Sequence, residues 1–165
     1  MEKNVLIKND IPLSLYVHLP WCKKKCPYCD FNSHEFKKEF PEQEYCEALI
    51  KDFLHVIPKI QDRSVETIFF GGGTPNLFSS ESINFLISKI KNHINVPASA
   101  EVTLEANPHD SDKEGDHLLE NLFSLKEAGV TRLSVGVQSF NDQQLMGLGR
   151  LYNGMQAHSF LSSAR

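Results

Sequence analysis

The chain alternates between short runs with an apolar residue at every second position and longer runs that repeat them every third or fourth. Leu13–Leu19 is the first short run, with Leu15, Val17 and Leu19 on one face and Ser14, Tyr16 and His18 on the other, the period of a strand. Pro20 lacks a backbone donor and predicts its end. Pro41, followed by Glu42 and Glu44, predicts a helix with proline at its first position and acids against its dipole. Tyr45, Leu49, Phe53, Val56, Ile57 and Ile60 continue it, and Pro58 predicts an end or kink near the last turn. Val65–Phe70 is a second strand that runs into Gly71-Gly72-Gly73-Thr74-Pro75. Ser79 or Ser80 can cap the next helix, whose stripe is Ile83, Leu86, Ile87, Ile90 and Ile94.

Glu101–Ala106 is a third strand, Val102, Leu104 and Ala106 alternating with Glu101, Thr103 and Glu105. A loop through Asn107-Pro108 leads to a helix bearing Leu118, Leu122 and Leu125, with Gly129 as its C′ residue. Thr131–Val137 is a fourth strand that delivers Gln138 and Ser139 to its end. Asn141 caps a short helix, and Gly154–Arg165 starts another. Four consecutive strand–helix units predict a parallel sheet built by βαβ crossovers. Tyr16 and His18, Thr103 and Glu105, and Ser134 and Gln138 put polar groups on one sheet face near the strand ends. An open doubly wound sheet has both faces apolar, so this pattern favours a (β/α) barrel with a site at its C-terminal rim. A full eight-fold barrel takes about 250 residues, so about four βα units make a partial barrel with strand four as an open edge.

Composition narrows the function classes. With 165 residues, 41% hydrophobic, the chain fits one domain with a proper core, and its net charge of −4 lacks the basic footprint of a nucleic-acid binder. Lys23-Lys24-Lys25 is the one tight cationic run and reads as a solvated loop. Met1–Asp10 has no secretory apolar region and no apolar run reaches the ~20 residues of a membrane span, so the expectation is a cytoplasmic protein without a transmembrane segment.

The chemistry concentrates in Ser14–His34, where Cys22, Cys26 and Cys29 follow a C-x3-C-x2-C spacing. Three thiols this close fit one metal centre better than disulfides, and thiolate suits both iron–sulfur clusters and zinc. A structural zinc needs a fourth ligand, for which His18 or His34 is in range; a [4Fe–4S] cube on three cysteines keeps one iron open. A zinc-stabilised binding module therefore stays a reading beside the cluster. Cys46, inside the first helix, reads as a small hydrophobe. The glycine turn lets main-chain groups face a ligand. Glu105 can accept from ribose hydroxyls or an ammonium, or pair with Arg132. Gln138 can donate and accept at the rim, and Arg150 can hold a carboxylate bidentately.

The segments LYVHLPWCKKKCPYCDFNSH, FFGGGTP, EVTLEANP, RLSVGVQSF and LGR, in that order, resemble radical S-adenosylmethionine (SAM) proteins. Within them they resemble the HemW-like heme chaperones of the oxygen-independent coproporphyrinogen III oxidase-like family. The resemblance implies a [4Fe–4S] cluster on Cys22, Cys26 and Cys29, its open iron chelated by SAM. It implies SAM contacts from Tyr16, Gly72 and Glu105, and contacts matching a second SAM of the related oxidases from Tyr28, Gly73, Thr74, Gln138 and Arg150. One-electron cleavage of SAM to methionine and a 5′-deoxyadenosyl radical is the implied chemistry, with a low-potential electron donor. The related oxidases carry a further cysteine just after the third; Cys29-Asp30-Phe31-Asn32 does not. That implies heme trafficking to a heme-accepting respiratory protein, with the radical SAM oxidase as the alternative. Tyr152 stands where the family usually has histidine. The family is more than twice this length, so residues 1–165 correspond to the N-terminal part of its core domain, without the remaining barrel and C-terminal domain.

Overall fold

A computed structural model of the chain describes residues 11–60, 63–108 and 116–165, with the side chains of 116 and 117 excepted. The expectation about Met1–Asp10 and most of the loop after Pro108 lie outside the described residues.

The central sheet has four parallel strands in the order β1 (Leu13–Leu19), β4 (Val65–Gly72), β5 (Glu101–Ala106) and β6 (Arg132–Val135). A two-stranded parallel ladder, β2 (Trp21–Cys22) with β3 (His34–Glu35), lies between β1 and the first helix. Helices α1 (Glu42–Val56), α2 (Ser80–His93) and α3 (Asp116–Glu127) make the crossovers, and α4 (Asp142–Gly147) and α5 (Gly154–Ser163) follow β6. This is the expected α/β fold of parallel strands and helices. The sheet is not closed into a barrel: β1 and β6 are its two edges among the described residues.

The strand period divides the sheet as the sequence predicts. Val17, Leu19, Ile68, Phe70, Val102 and Leu104 are buried in one core with Ile83, Leu86, Ile87 and Ile90 of α2, Leu118 and Leu125 of α3, and Phe160 of α5. Full burial of each such side chain contributes roughly 1.5–3 kcal/mol, which makes this face the main source of cohesion. The opposite face carries Ser14, Tyr16, Thr67, Phe69, Glu101, Glu105, Arg132 and Ser134, and it is polar. There Thr67 donates to Ser14 at 2.8 Å.

Local chemistry sets the element ends, with some departures from expectation. Pro41 is the N-cap of α1 rather than its first residue, and its carbonyl accepts from the N–H of Tyr45 at 3.0 Å. Glu42 reaches across to accept from the N–H and Oγ of Ser79 at 2.7 and 2.6 Å, and Ser79 caps α2 by accepting from Ser82. Helix α1 ends at Val56, and Ile57–Lys59 forms a 3-10 turn around Pro58. The second long strand extends two residues beyond Phe70, into the glycines. The fourth ends at Val135 instead of Val137, because its ladder partner β5 ends at Ala106, opposite Val135; beyond it the hydroxyl of Tyr152 lies against the carbonyls of Gly136 and Val137. Asn141 caps α4, and Asn153 with Gln156 forms a capping box on α5.

Candidate functional site

A cavity of about 300 Å³ opens at the C-terminal ends of β4, β5 and β6, walled on its far side by the cysteine loop. Cys22, Cys26 and Cys29 line it; Cys22 is buried, the others half-buried, and none is in a disulfide. The loop is held at both ends. His34 donates its N–H to Pro20 at 2.7 Å, Phe36 to Cys22 at 3.2 Å, and Cys29 to Cys26 at 3.0 Å. Lys25 is exposed, as a solvated loop predicts, and also ties the loop to itself. Its ammonium donates to the carbonyls of Phe31 and Ser33 at 3.0 and 3.3 Å, and its N–H to Glu35 at 3.2 Å. Beneath the loop, Trp21 stacks on Phe40 at 5.0 Å and meets Tyr45 edge-on at 4.5 Å, with Phe78 at 5.9 Å. Such pairs contribute about 0.5–1.5 kcal/mol each beyond area burial, so the thiols sit on a firm base.

The glycine turn passes under the junction of β1 and that loop. Gly73 donates to Leu19 and Thr74 to Trp21, each at 2.8 Å, and a Cβ on Gly73 would lie 2.5 Å from the carbonyl oxygen of Trp21. Gly72 has φ +121°, and a Cβ there would enter the imidazole of His18, 2.6 Å from Cε1. The N–H of Gly72 donates to Oε2 of Glu105 at 3.1 Å. Arg132, opposite Thr103 in register, pairs instead with Glu101 at 3.0 Å and donates to Thr103 at 2.9 Å. The alternative pairing of Glu105 with Arg132 is therefore corrected: register sets Arg132 opposite Thr103, two residues short of Glu105.

His18 links two levels of the site. Its Nε2 meets the Asn32 carbonyl at 2.8 Å and must donate, so Nδ1 accepts from the Tyr16 hydroxyl at 3.1 Å. Tyr16 stacks near Phe69 and is raised above the ordinary tyrosine range, by burial first and then by the carboxylate of Glu105. Of the residues that the resemblance assigns to the cluster or to SAM, all but Tyr16 line the cavity; Tyr16 stands on the open sheet face below it.

The opposite wall is organised by Arg150. Its Nη2 donates to Asn107 Oδ1 and, at 2.5 Å, to the Gly136 carbonyl; its Nε donates to the Tyr152 hydroxyl at 3.2 Å. Nη1 is left to reach Cys26 Sγ at 3.4 Å and the Tyr28 hydroxyl at 3.3 Å. Burial opposes the charge, but the bonds to Cys26 and Tyr152 outweigh it and hold the guanidinium above its usual pKa. Burial likewise raises Tyr28, with Arg150 opposing. Asn107 also donates to Thr74 at 3.1 Å, and the Asn76 amide pairs with both backbone groups of Asn107 at 2.9 and 3.2 Å. Gln138 reaches the rim on a positive φ of 67°. Asn76, Asn107 and Lys25 were not chosen from the sequence as site residues. Their one local signal is that each directly adjoins a chosen motif.

Neither histidine considered for zinc stands ready as its fourth ligand: both ring nitrogens of His18 are engaged, and His34 is exposed in β3. Among the described residues, no three His, Cys, Asp or Glu side chains gather around a single ion-sized point. The three thiols line one wall of the cavity instead.

Residues 16–159 match the Radical SAM superfamily. The chain belongs to this family. It is 46% identical over 158 residues to the heme chaperone HemW of Haemophilus influenzae, covering 93% of this chain and 40% of that protein. To HemW of Escherichia coli it is 44% identical, covering 88% of this chain and 37% of that one. The structure of E. coli coproporphyrinogen III oxidase (HemN), a radical SAM enzyme, superposes with a TM-score of 0.82 at 31% identity, over 95% of this chain and 35% of the oxidase. The chain thus spans about two fifths of the curated relatives it matches. Membership in the radical SAM family implies a [4Fe–4S] cluster and SAM. The residues present fit them: three soft thiols on one cavity wall, backbone brought close by Gly72 and Gly73, and a carboxylate at the floor. No helix among the described residues is long and apolar enough to cross a membrane.

Proposed function

We propose that the chain is the N-terminal part of a radical SAM core domain that holds a [4Fe–4S] cluster on Cys22, Cys26 and Cys29 and binds SAM against it. The observation that carries this reading is the convergence of three thiols and three strand ends on one cavity. When bound and reduced, the cluster supplies one electron to SAM. Tyr16, Gly72 and Glu105 bind and orient SAM; Glu105 keeps Gly72 in place with one oxygen and offers the other to an ammonium or hydroxyl. Tyr28, Gly73, Thr74, Gln138 and Arg150 line the remainder of the cavity and hold the second ligand's polar groups.

The wider role is that of a cytoplasmic heme chaperone-like protein in heme and porphyrin metabolism. It would take an electron from a low-potential donor and pass heme to a respiratory protein. Relatives named heme chaperones, at 44–46% identity against 31% for the coproporphyrinogen oxidase, support this. So does Asp30-Phe31-Asn32, which follows Cys29 without a further cysteine. Anaerobic reconstitution with iron and sulfide tests the site: a broad absorption near ~400 nm, lost on triple Cys→Ala substitution, is expected. Stoichiometric zinc without iron overturns it. For the wider role, the intact parent protein is titrated with heme and separately incubated with coproporphyrinogen, SAM and reductant. Saturable heme binding without turnover is expected, and formation of protoporphyrinogen refutes the chaperone reading in favour of the oxidase.

A further inference from the structure

We propose that Arg150 raises the reduction potential of the cluster held at Cys26, with Tyr152 and Asn107 as its positioning residues. The inference rests on the proposed cluster site and adds a role separate from ligand binding. Three acceptors from three segments fix the guanidinium: Asn107 after β5, the Gly136 carbonyl after β6, and the buried Tyr152 before α5. They occupy Nε and Nη2 and aim Nη1 at Cys26 Sγ, 3.4 Å away. The Tyr152 hydroxyl donates in turn to backbone carbonyls after β6, so it cannot swing to follow a displaced arginine.

A thiolate ligand carries more negative charge when its cluster is reduced. A fixed cation that also donates N–H···S therefore stabilises the reduced form more than the oxidised one. Hydrogen bonds to the sulfurs and net charge are among the terms that set cluster potentials. The half-buried setting preserves the effect, because solvent screening is weak there.

The test is redox titration of the anaerobically reconstituted protein, followed by electron paramagnetic resonance, in the absence of SAM. Arg150→Gln is expected to lower the reduced-to-oxidised ratio at a fixed potential about tenfold, a shift of about 59 mV for one electron. Tyr152→Phe keeps the ring but removes the acceptor for Nε, and it is expected to shift the potential the same way by about threefold in that ratio. If Arg150→Gln fails to retain iron, Tyr152→Phe carries the measurement. SAM-free potentials equal to the parent's in the iron-retaining variants overturn the inference, because an arginine serving only a ligand carboxylate changes SAM affinity and leaves that potential alone. A parent that takes up no cluster overturns the proposed function itself, and the two failures are told apart by iron content.

Discussion

Substituting Gly72 by alanine tests how the glycine turn, His18 and the cysteine loop are coupled. Two costs can be worked from the geometry. At φ +121° a side-chain-bearing residue is strained, by roughly 1–2 kcal/mol. The new Cβ would also lie 2.6 Å from Cε1 and 2.7 Å from Nδ1 of His18, so the imidazole must leave. It then loses its bonds to Tyr16 and Asn32, each worth about 1 kcal/mol net. The sum is about 3–4 kcal/mol, against the roughly 5–15 kcal/mol that holds a domain together. For a chain of this size that lowers Tm by roughly 10 °C. Urea unfolding of Gly72→Ala, His18→Ala and the double variant separates the two costs. With His18 already gone, Gly72→Ala should cost only the backbone strain, so the two substitutions should fall short of additivity by about 2 kcal/mol. Faster amide exchange at Ser33, beside Asn32 in the cysteine loop, should accompany the loss of His18. A Gly72→Ala cost below about 1 kcal/mol, or strict additivity with His18→Ala, refutes the reasoning.

Two further outcomes follow from buried groups. Cys46 is buried in α1, and burial pushes its thiol from an ordinary 9.0 up to about 11. Iodoacetamide at pH 8, followed by mass spectrometry of the apo protein, should label the half-buried Cys26 and Cys29 and spare Cys46. Because the folded pKa lies above the unfolded one, the stabilisation from Cys46 is complete below about 9 and fades as the pH rises towards about 11. Cys46→Ala should remove that part of the alkaline slope in a denaturation series. Asn76→Ala leaves the N–H and carbonyl of Asn107 without their amide partner, which should cost about 1–3 kcal/mol in unfolding experiments. An unchanged midpoint would show that the bridge between the β4 and β5 ends contributes nothing.

Much of this molecule was legible in the order of its residues. Strand period is local: alternation in Leu13–Leu19 and Glu101–Ala106 needs only the pleat, and both segments are strands with those bounds. Capping is local too, which is why Ser79 and Asn141 sit at helix starts as expected. The spacing of Cys22, Cys26 and Cys29, and the glycines after an apolar strand, are likewise short-range signals. They were enough to bring nearly every chosen residue to one cavity.

What the tertiary structure alone decided is which side chains meet. Arg150 reaches Cys26 across 124 positions of sequence, and no spacing rule connects them. Arg132 pairs with Glu101 instead of Glu105 because β5 and β6 take one register and not the next. The last strand stops early because β5 ends opposite Val135, where the N–H of Asn107 turns to Asn76 instead of continuing the ladder. Lys25, still exposed, becomes a clasp of the cysteine loop only once that loop folds back on itself. The physical reason is the same in each case. Periodicity and caps depend on neighbours along the backbone, whereas a polar partner is chosen by register, loop path and the need of each buried donor or acceptor to be satisfied.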